Sequence, residues 1–439
     1  MWNRKVIIAI IIIFGNTGLF GQQMHSLQEV IAIALENNYS IRIARNQQEI
    51  AENNYSLGNA GFLPALNLQG QYSGTRNSID RTDFNGNETS IRNIHNTVGS
   101  ASVNLGWTIF DGFRVRVNHD KLAVLMEMGE LNTQIALENL VARITAEYFN
   151  LIQQQRLLNN LRFAVELSRE RVRIDEERFL LGSGSKLQLL QAEVFLNADS
   201  SRMGRQEEVV RASRVRLNEL MAMEDLRKNI SPADTIIPLN DIMIFATLEA
   251  SAMEKNSALL AASTNKRITE YDQKLVASRV YPYVSFSSGY GYNYSTFQSG
   301  SFTDQQTFGM NYGITVGVNL FDGFNQRRRA GNAVIDVENA RLHLDEIKKA
   351  LMSDLITIYN EYLNNFRLLE LETQNLDVAY ETLDIAMERY RLGALSGLEL
   401  REVQKNLLEA EERLLSIQYN TKLAEISLLQ IAGRVMEYL

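Results

Sequence analysis

The sequence of 439 residues contains no cysteine. This absence excludes disulfide bonds, thiolate metal ligands, a thiol nucleophile and a cysteine-linked lipid anchor. Histidine is nearly as scarce, and its four copies have no spacing typical of metal ligands. These histidines are His25, His95, His119 and His343. We therefore expect no enzymatic activity, no cofactor and no metal centre.

Proline is also rare. The four prolines are Pro64, Pro232, Pro238 and Pro282. Because proline interrupts helices, its absence from residues 112–181 and 323–392 permits very long helices there. Each stretch has 70 residues with apolar side chains at helical spacing, such as Leu140, Ile144 and Tyr148 in the first. A helix of this length would extend about 105 Å.

A long apolar segment is missing as well. No segment after residue 21 has the roughly 18 consecutive apolar residues of a transmembrane helix. The apolar run at residues 6–14 follows Arg4 and Lys5 and precedes small residues, which predicts an export signal over residues 1–21. A buried N-terminal strand is the alternative. If the exported chain enters a membrane, it must do so as a β-barrel.

An excess of basic residues is absent too. Lysine and arginine number 44 against 52 acidic residues, a net charge of −8. Loss of Arg4 and Lys5 with the export signal would lower this charge by two units, to −10. Such a chain has no general affinity for nucleic acid.

What the sequence does contain is an internal duplication. The turn FDGF occurs at residues 110–113 and 321–324, and the motifs RFLLG and RYRLG begin at Arg178 and Arg389. Both pairs are 211 residues apart, which is too long a period for a solenoid and indicates a duplicated fold unit. We predict a first repeat over residues 22–230, a linker over residues 231–245 and a second repeat over residues 246–439.

Each repeat should contain two shorter helices besides the long one. These helices are predicted at residues 27–61, 186–224, 246–279 and 397–432. In each repeat their summed length approximates that of the long helix. We therefore expect the two short helices to stack end to end beside the long helix.

Alternation with a period of two predicts two strands per repeat. The strands are predicted at residues 66–72, 101–109, 284–294 and 308–320, with polar loops at residues 77–96 and 298–306. A soluble sandwich can show the same alternation. Here the apolar face is rich in aromatic residues and the other face in Gly, Ser, Asn and Thr, which favours a barrel with lipid outside and water inside.

Four strands cannot close such a barrel, because bacterial barrels begin at about 8 strands. The chains must pool their strands, giving about 8 in a dimer or 12 in a trimer. The predicted turns from barrel to helix are Phe110, Asp111, Gly112, Phe321, Asp322 and Gly323. We expect each aspartate to accept hydrogen bonds from the first helix N–H groups and each glycine to permit the change of direction.

The paired turns and the paired segments 178–193 and 389–404 closely resemble the TolC-like outer membrane efflux family over residues 24–434. The resemblance implies a mixed membrane α+β fold. In it, a homotrimer forms a 12-stranded transmembrane β-barrel, with four strands per chain, continued by a long periplasmic α-helical barrel. It also implies an outer membrane location with a large periplasmic part.

The function implied by the resemblance is that of a passive exit duct in a tripartite efflux or type I secretion system. Its partners would be a periplasmic adaptor and an inner-membrane transporter of the RND or ABC type. An extracytoplasmic coiled-coil scaffold without channel activity is the alternative. The scaffold would leave the export signal and the four alternating strands unexplained.

The two tips between the long helices and their return helices are predicted to be helical hairpins. Their candidate residues are Arg178, Leu181, Gly182, Ser185, Arg389, Leu392, Gly393 and Ser396. Glycine suits the left-handed end of a helix, and serine followed three residues later by Gln or Glu predicts a capping box. The resemblance implies that the tips line the periplasmic mouth, where the adaptor docks.

Two glutamates and a group of arginines complete the candidate residues. Glu399 and Glu402 lie three apart on one helix, and the resemblance implies an acidic ring at the periplasmic constriction. For Glu399, a capping box with Ser396 explains the residue equally well. The arginines at positions 114, 116 and 327–329 are either a solvated charge run or a contact with the inner-leaflet phosphates of outer membrane lipid.

Overall fold

The computed structural model of the chain describes residues 23–240, 243–299 and 301–439, so the predicted export signal at residues 1–21 lies outside the described residues. The first repeat contains β1 (Gln23–His25), α1 (Leu27–Asn37), α2 (Tyr39–Asn54), α3 (Leu57–Ala60), β2 (Ala65–Thr82), β3 (Glu88–Asp111), α4 (Arg114–Leu180) and α5 (Lys186–Leu220). After β4 (Ile230–Pro232), the second repeat contains α6 (Phe245–Lys255), α7 (Ser257–Ala277), β5 (Tyr283–Thr296), β6 (Asp304–Gly317), α8 (Asn325–Arg391) and α9 (Gly397–Ile431). Short 3-10 turns follow α7 and α9 at Ser278–Val280 and Val435–Tyr438.

Two helices of 67 residues, α4 and α8, dominate the molecule. Their bounds confirm the two long helices predicted from sequence, and at 1.5 Å per residue each is about 100 Å long. α4 packs along α5, and α8 packs along α9, so each repeat contains a long helical hairpin. Within the described residues, no helix is both long and apolar enough to cross a bilayer.

The predicted single helices at residues 27–61 and 246–279 are wrong, because an asparagine interrupts each of them. Asn38 separates α1 from α2, and its Oδ1 accepts the Ser40 N–H at 2.9 Å. Asn256 separates α6 from α7, and its Oδ1 accepts the Leu259 N–H at 2.9 Å. The asparagine side chain therefore starts a new helix where the sequence pattern indicated a continuous one.

The same two asparagines join the short helices to the return helices. The Asn38 Nδ2 donates to the main-chain oxygen of Leu220 at 2.8 Å, at the end of α5. The Asn256 Nδ2 donates to the main-chain oxygen of Ile431 at 3.0 Å, at the end of α9. This end-to-end arrangement is the predicted stacking of two shorter helices beside each long one.

Within the described residues, the main sheet has four antiparallel strands in the order β2-β3-β5-β6. The predicted loop at residues 77–96 is wrong, because β2 and β3 continue pairing to Thr82 and Glu88. The polar side chains in this loop region do not prevent strand pairing, since the ladder is made by main-chain groups. The predicted loop at residues 298–306 is shorter than expected, because β6 begins at Asp304.

The largest apolar cluster lies around the middle of α4, where α1, α5 and the linker meet it. Tyr148 is fully buried there, and its hydroxyl donates to Asp234 Oδ2 at 2.8 Å. Burial, followed by this hydrogen bond, raises the pKa of the Tyr148 hydroxyl above its ordinary value. On the other side of the linker, the Asn240 Nδ2 donates to Glu425 of α9 at 2.8 Å. The linker is thus tied to both repeats.

Candidate functional site: sheet-to-helix turns and hairpin tips

The turn after β3 brings the chain into α4 through two consecutive left-handed residues. Gly112 and Phe113 both have φ of 69°. A Cβ on Gly112 would lie only 2.4 Å from the Ser278 carbonyl oxygen and 2.7 Å from the Tyr281 Cβ. Asp111 Oδ1 accepts the Val115 N–H at 3.1 Å, as expected for a residue that caps the helix. This turn therefore requires glycine both for its conformation and for its space.

The turn after β6 has the same main-chain shape but different contacts. Gly323 and Phe324 have φ of 68° and 62°. The expected carboxylate cap by Asp322 is not found among the described residues. Instead, the main-chain oxygen of Asp322 accepts a hydrogen bond from the Asn325 Nδ2 at 2.8 Å.

The two hairpin tips have the local structure that their sequences predict. Gly182 and Gly393 end α4 and α8 with φ of 74° and 78°. Ser185 Oγ accepts the Gln188 N–H at 3.3 Å, and the Ser185 N–H donates to Gln188 Oε1 at 2.9 Å. Ser396 exchanges the equivalent pair of hydrogen bonds with Glu399. Both capping boxes are therefore confirmed.

Each tip presents a large apolar side chain to solvent in the single chain. Leu181 is 82% exposed and Leu392 is 81% exposed. The leucines that open the return helices, Leu187 and Leu398, are exposed as well. The two repeats therefore expose leucines at equivalent places in their tips.

The two candidate gate residues have different environments. The Glu399 carboxylate turns back to accept the Ser396 main-chain N–H at 2.9 Å. The hydrogen bonds from the Ser396 main chain and side chain lower the pKa of Glu399. Glu402 is 63% exposed, and its nearest cation is the Lys405 Nζ at 3.9 Å. The structure thus gives Glu399 a local capping role and leaves Glu402 free to project from α9.

A polar seam that the sequence analysis missed lies behind the tips and joins the two hairpins. Arg171 of α4 is buried 3.8 Å from Asp175, and its guanidinium lies 5.0 Å from the Phe195 ring. The Tyr390 hydroxyl donates to Asp175, and burial followed by this hydrogen bond raises the pKa of Tyr390 to about 12. The Arg178 guanidinium donates to the Tyr390 main-chain oxygen. The sequence signal was a row of polar residues three and four apart on α4.

A second contact extends this polar seam along the hairpins. Asp199 of α5 is buried and accepts two hydrogen bonds from Arg401 of α9, at 2.7 and 2.9 Å. The Ser168 hydroxyl donates to the same carboxylate at 2.6 Å. Because Asp199 belongs to the first repeat and Arg401 to the second, this ion pair fixes one hairpin to the other. Among the described residues, no cluster of three or more His, Asp or Glu side chains could hold a metal ion.

Comparison with known proteins gives consistent similarities. The sequence profile described as outer membrane efflux protein matches residues 30–222 and 248–434. The chain is 18% identical over 435 residues to the outer membrane efflux protein BepC of Brucella suis biovar 1 (strain 1330), covering 98% of this chain and 91% of that protein. It is 24% identical over 445 residues to the cation efflux system protein CusC of Escherichia coli (strain K12), and this match covers 93% of this chain and 86% of that protein.

The fold is also shared with solved structures. The chain superposes on the crystal structure of the Campylobacter jejuni CmeC outer membrane channel with a TM-score of 0.78 and 16% sequence identity. The superposition covers 93% of this chain and 85% of CmeC. Because the family profile spans both repeats and most of the sequence, the chain belongs to the outer membrane efflux protein family.

Proposed function

We propose that three copies of this chain assemble into a passive exit duct of a tripartite efflux or type I secretion system. As a family member, the chain is an outer membrane protein with a large periplasmic helical part. One observation carries the proposal: a four-stranded sheet with one apolar face, one polar face and two open edges continues directly into helices of 67 residues.

The register of the sheet separates its two faces. One face carries Leu66, Leu68, Tyr72, Val103, Leu105, Trp107, Phe286, Tyr290, Tyr292, Phe308, Met310, Tyr312, Ile314 and Val316. The other carries Asn67, Gln69, Gln71, Ser73, Ser100, Ser102, Asn104, Ser287, Asn293, Thr307, Asn311 and Thr315. An aromatic-rich face suits lipid, and a face of hydroxyls and amides suits a water-filled lumen.

The open edges of the sheet support the assembly of several chains. β2 and β6 stand at the two edges of the sheet, and the edge of a strand exposes unpaired main-chain groups. In a membrane such groups must be paired, so β2 of one chain pairs with β6 of the next. Three chains give 12 strands, above the minimum of about 8 for a closed bacterial barrel.

The exposed tips suit the docking of a periplasmic adaptor. The two hairpins have equal long helices and equal return helices of 35 residues, so their tips lie at equivalent distances from the sheet. Arg389 is exposed beside Leu392, so the second tip has a mixed apolar and cationic surface, whereas Arg178 is half-buried behind Leu181 with its guanidinium on Tyr390. The adaptor would connect this surface to an RND or ABC transporter in the inner membrane.

The belt around the sheet-to-helix turns suits outer membrane lipid. Exposed aromatic rings, Phe113 and Phe324, mark the boundary where the strands end. The first two turns of α4 and α8 then carry Arg114, Arg116, Arg327, Arg328 and Arg329. Aromatic residues favour the membrane interface and arginines attract lipid phosphates, so this order fits the inner leaflet.

At the opposite end, Glu402 is the better candidate for an acidic ring, because Glu399 is bonded to the start of its own helix. Three chains would place three such carboxylates, or six if Glu399 contributes, around one axis. An acidic ring attracts cations and repels anions in a narrow pore.

The test combines mass and conductance. The protein is purified in detergent without cross-linking, its native mass is measured, and the same sample is reconstituted into planar bilayers. A particle of three chains that conducts ions supports the proposal. A stable monomer contradicts the proposal. A protein that is extracted without detergent and never conducts also contradicts it, and favours the coiled-coil scaffold.

A further inference from the structure

The β2–β3 hairpin extends well beyond the rest of the sheet. The last residue pair between β3 and β5 is Thr97 with Thr296. Pairing between β2 and β3 continues past that point to Thr82 with Glu88. Residues 77–96 therefore form a two-stranded ribbon that projects past β5, at the end of the sheet farthest from the helices. We call this segment the outer ribbon.

The outer ribbon breaks the polar pattern of its face. On the sheet, the face assigned to the lumen carries Asn104, Ser102 and Ser100 along β3. Continuing along the same face, the next residues include Val98 and Ile94. Beyond the bulge, Ile79 pairs with Ile91, and the alternation of β2 from Asn77 to Ile79 keeps this pair on the same face. Outward from Gln71 and Ser100, Ile79 with Ile91 is the first pair on this face in which both side chains are apolar, and it lies between the pairs Asn77–Ile94 and Arg81–Thr89.

The base of the outer ribbon is fixed in place. Asn93 has φ of 58°, and its N–H donates to the Ser78 hydroxyl at 3.3 Å, which makes a bulge that bends the ribbon. Gln298, in the turn between β5 and β6, accepts the His95 N–H at 2.7 Å and donates its own N–H to Asn96 at 3.2 Å. These bonds hold the ribbon against the neighbouring turn at its root.

The burial of the isoleucines changes along the outer ribbon. Ile94, at the root, is only 3% exposed, whereas Ile79, nearer the end, is 42% exposed in the single chain. An isolated two-stranded ribbon is marginally stable in water. Isoleucines that face the lumen do not contact lipid, so lipid cannot remove their side chains from water. Burial against other isoleucines is the arrangement that removes them from water.

We propose that the outer ribbons of three chains meet above the external mouth, with Ile79 and Ile91 of each facing the axis as a hydrophobic constriction. This inference rests on the proposed trimeric duct, because the occupant of each apolar face is a second copy of the same chain. A narrow apolar ring opposes the passage of water and ions until it is spread apart. The duct then has a closure at its outer end, separate from the acidic ring at the periplasmic end.

Cysteine cross-linking tests the geometry directly, because the natural chain has no cysteine. The variant Ile79→Cys places thiols on the face proposed to meet the axis. The matched variant Ser90→Cys places them on the opposite face of the same ribbon, one pair away. Under a mild oxidant, Ile79→Cys should form disulfide-linked chains about tenfold more than Ser90→Cys, since a disulfide needs Cα atoms within about 7 Å. Equal cross-linking of the two variants would overturn the inference.

Conductance provides the second measurement. Replacing Ile79 and Ile91 together with asparagine should hydrate the constriction and increase the single-channel conductance roughly twofold. Ser90→Asn, on the opposite face, is the control. If the trimer conducts but the double variant leaves its conductance unchanged, the outer closure is wrong and the duct stands. If neither trimer nor conductance is found, both the duct and the closure fail.

Discussion

The two sheet-to-helix turns predict an unequal response to the same substitution. Gly112 and Gly323 have nearly identical φ, so alanine at either position adopts a disfavoured left-handed conformation. Their surroundings differ. An alanine Cβ at position 112 would lie 2.4 Å from the Ser278 carbonyl oxygen, whereas at position 323 the nearest atom, on Asn325, is 3.7 Å away. Gly112→Ala should therefore be much more damaging than Gly323→Ala.

The expected magnitudes follow from two contributions. The left-handed conformation costs a residue with a side chain about 1–2 kcal/mol, and this cost applies to both variants. Overlap with packed atoms that cannot move away adds about 1–3 kcal/mol, and this cost applies only to Gly112→Ala. Per chain, we expect a loss of about 1–2 kcal/mol for Gly323→Ala and about 2–5 kcal/mol for Gly112→Ala.

The assay is thermal dissociation of the purified assembly, followed on gels without boiling, together with the amount of protein recovered in the outer membrane. Gly323→Ala should lower the dissociation temperature slightly and leave the recovery normal. Gly112→Ala should lower both. The packing argument at Gly112 is refuted if the two variants dissociate at the same temperature, or if Gly323→Ala dissociates at the lower temperature.

Three further predictions concern the periplasmic part. Gly182→Val and Gly393→Val should each distort a hairpin tip and abolish export, because β-branched residues avoid positive φ. The assembly should still reach the outer membrane, and export that survives both changes would exclude the tips as docking surfaces. Changing Glu399 and Glu402 together to glutamine should reduce the cation selectivity of the reconstituted channel, with Glu402→Gln giving the larger part. Unchanged selectivity would remove both residues from the constriction. Burial raises the pKa of Glu411 above its ordinary value of 4.5. The Glu411 carboxyl therefore stays protonated to a higher pH in the folded protein than in the unfolded chain. Its stabilising contribution is complete below pH 4.5 and is lost as the pH rises through the raised pKa. Glu411→Gln should therefore gain thermal stability relative to the natural protein between pH 4.5 and neutrality, and parallel curves for the two proteins would contradict this.

Much of the fold could be predicted because its signals are local and occur twice. The long helices follow from helical spacing without proline, and the capping boxes at Ser185 and Ser396 follow from a spacing of three residues. The faces of the sheet follow from strict alternation. Each of these features depends on residues near one another in sequence, and the second repeat confirms the interpretation of the first.

The features that sequence could not predict depend on distant partners. Asn38 breaks a helical pattern because its side chain reaches the end of α5, 182 residues away. Asp175 and Arg171 have the spacing of solvated helix charges, and only the packing of the second hairpin buries them. The polar residues in the segment 77–96 predict a loop, whereas main-chain hydrogen bonds between β2 and β3, which the sequence does not display, hold it as a ribbon.

The equal lengths of the two hairpins restrict how such a protein can grow or shrink during evolution. One residue inserted into α4 would rotate everything beyond it by about 100° and turn the buried contacts behind the tips toward solvent. Only insertions that restore the helical phase, such as about 7 or 11 residues, preserve those contacts. Since α4, α5, α8 and α9 end at the same two tips, each insertion must be matched in all four helices. The length of the helical part can therefore change only in fixed steps, and each step must occur in both repeats together.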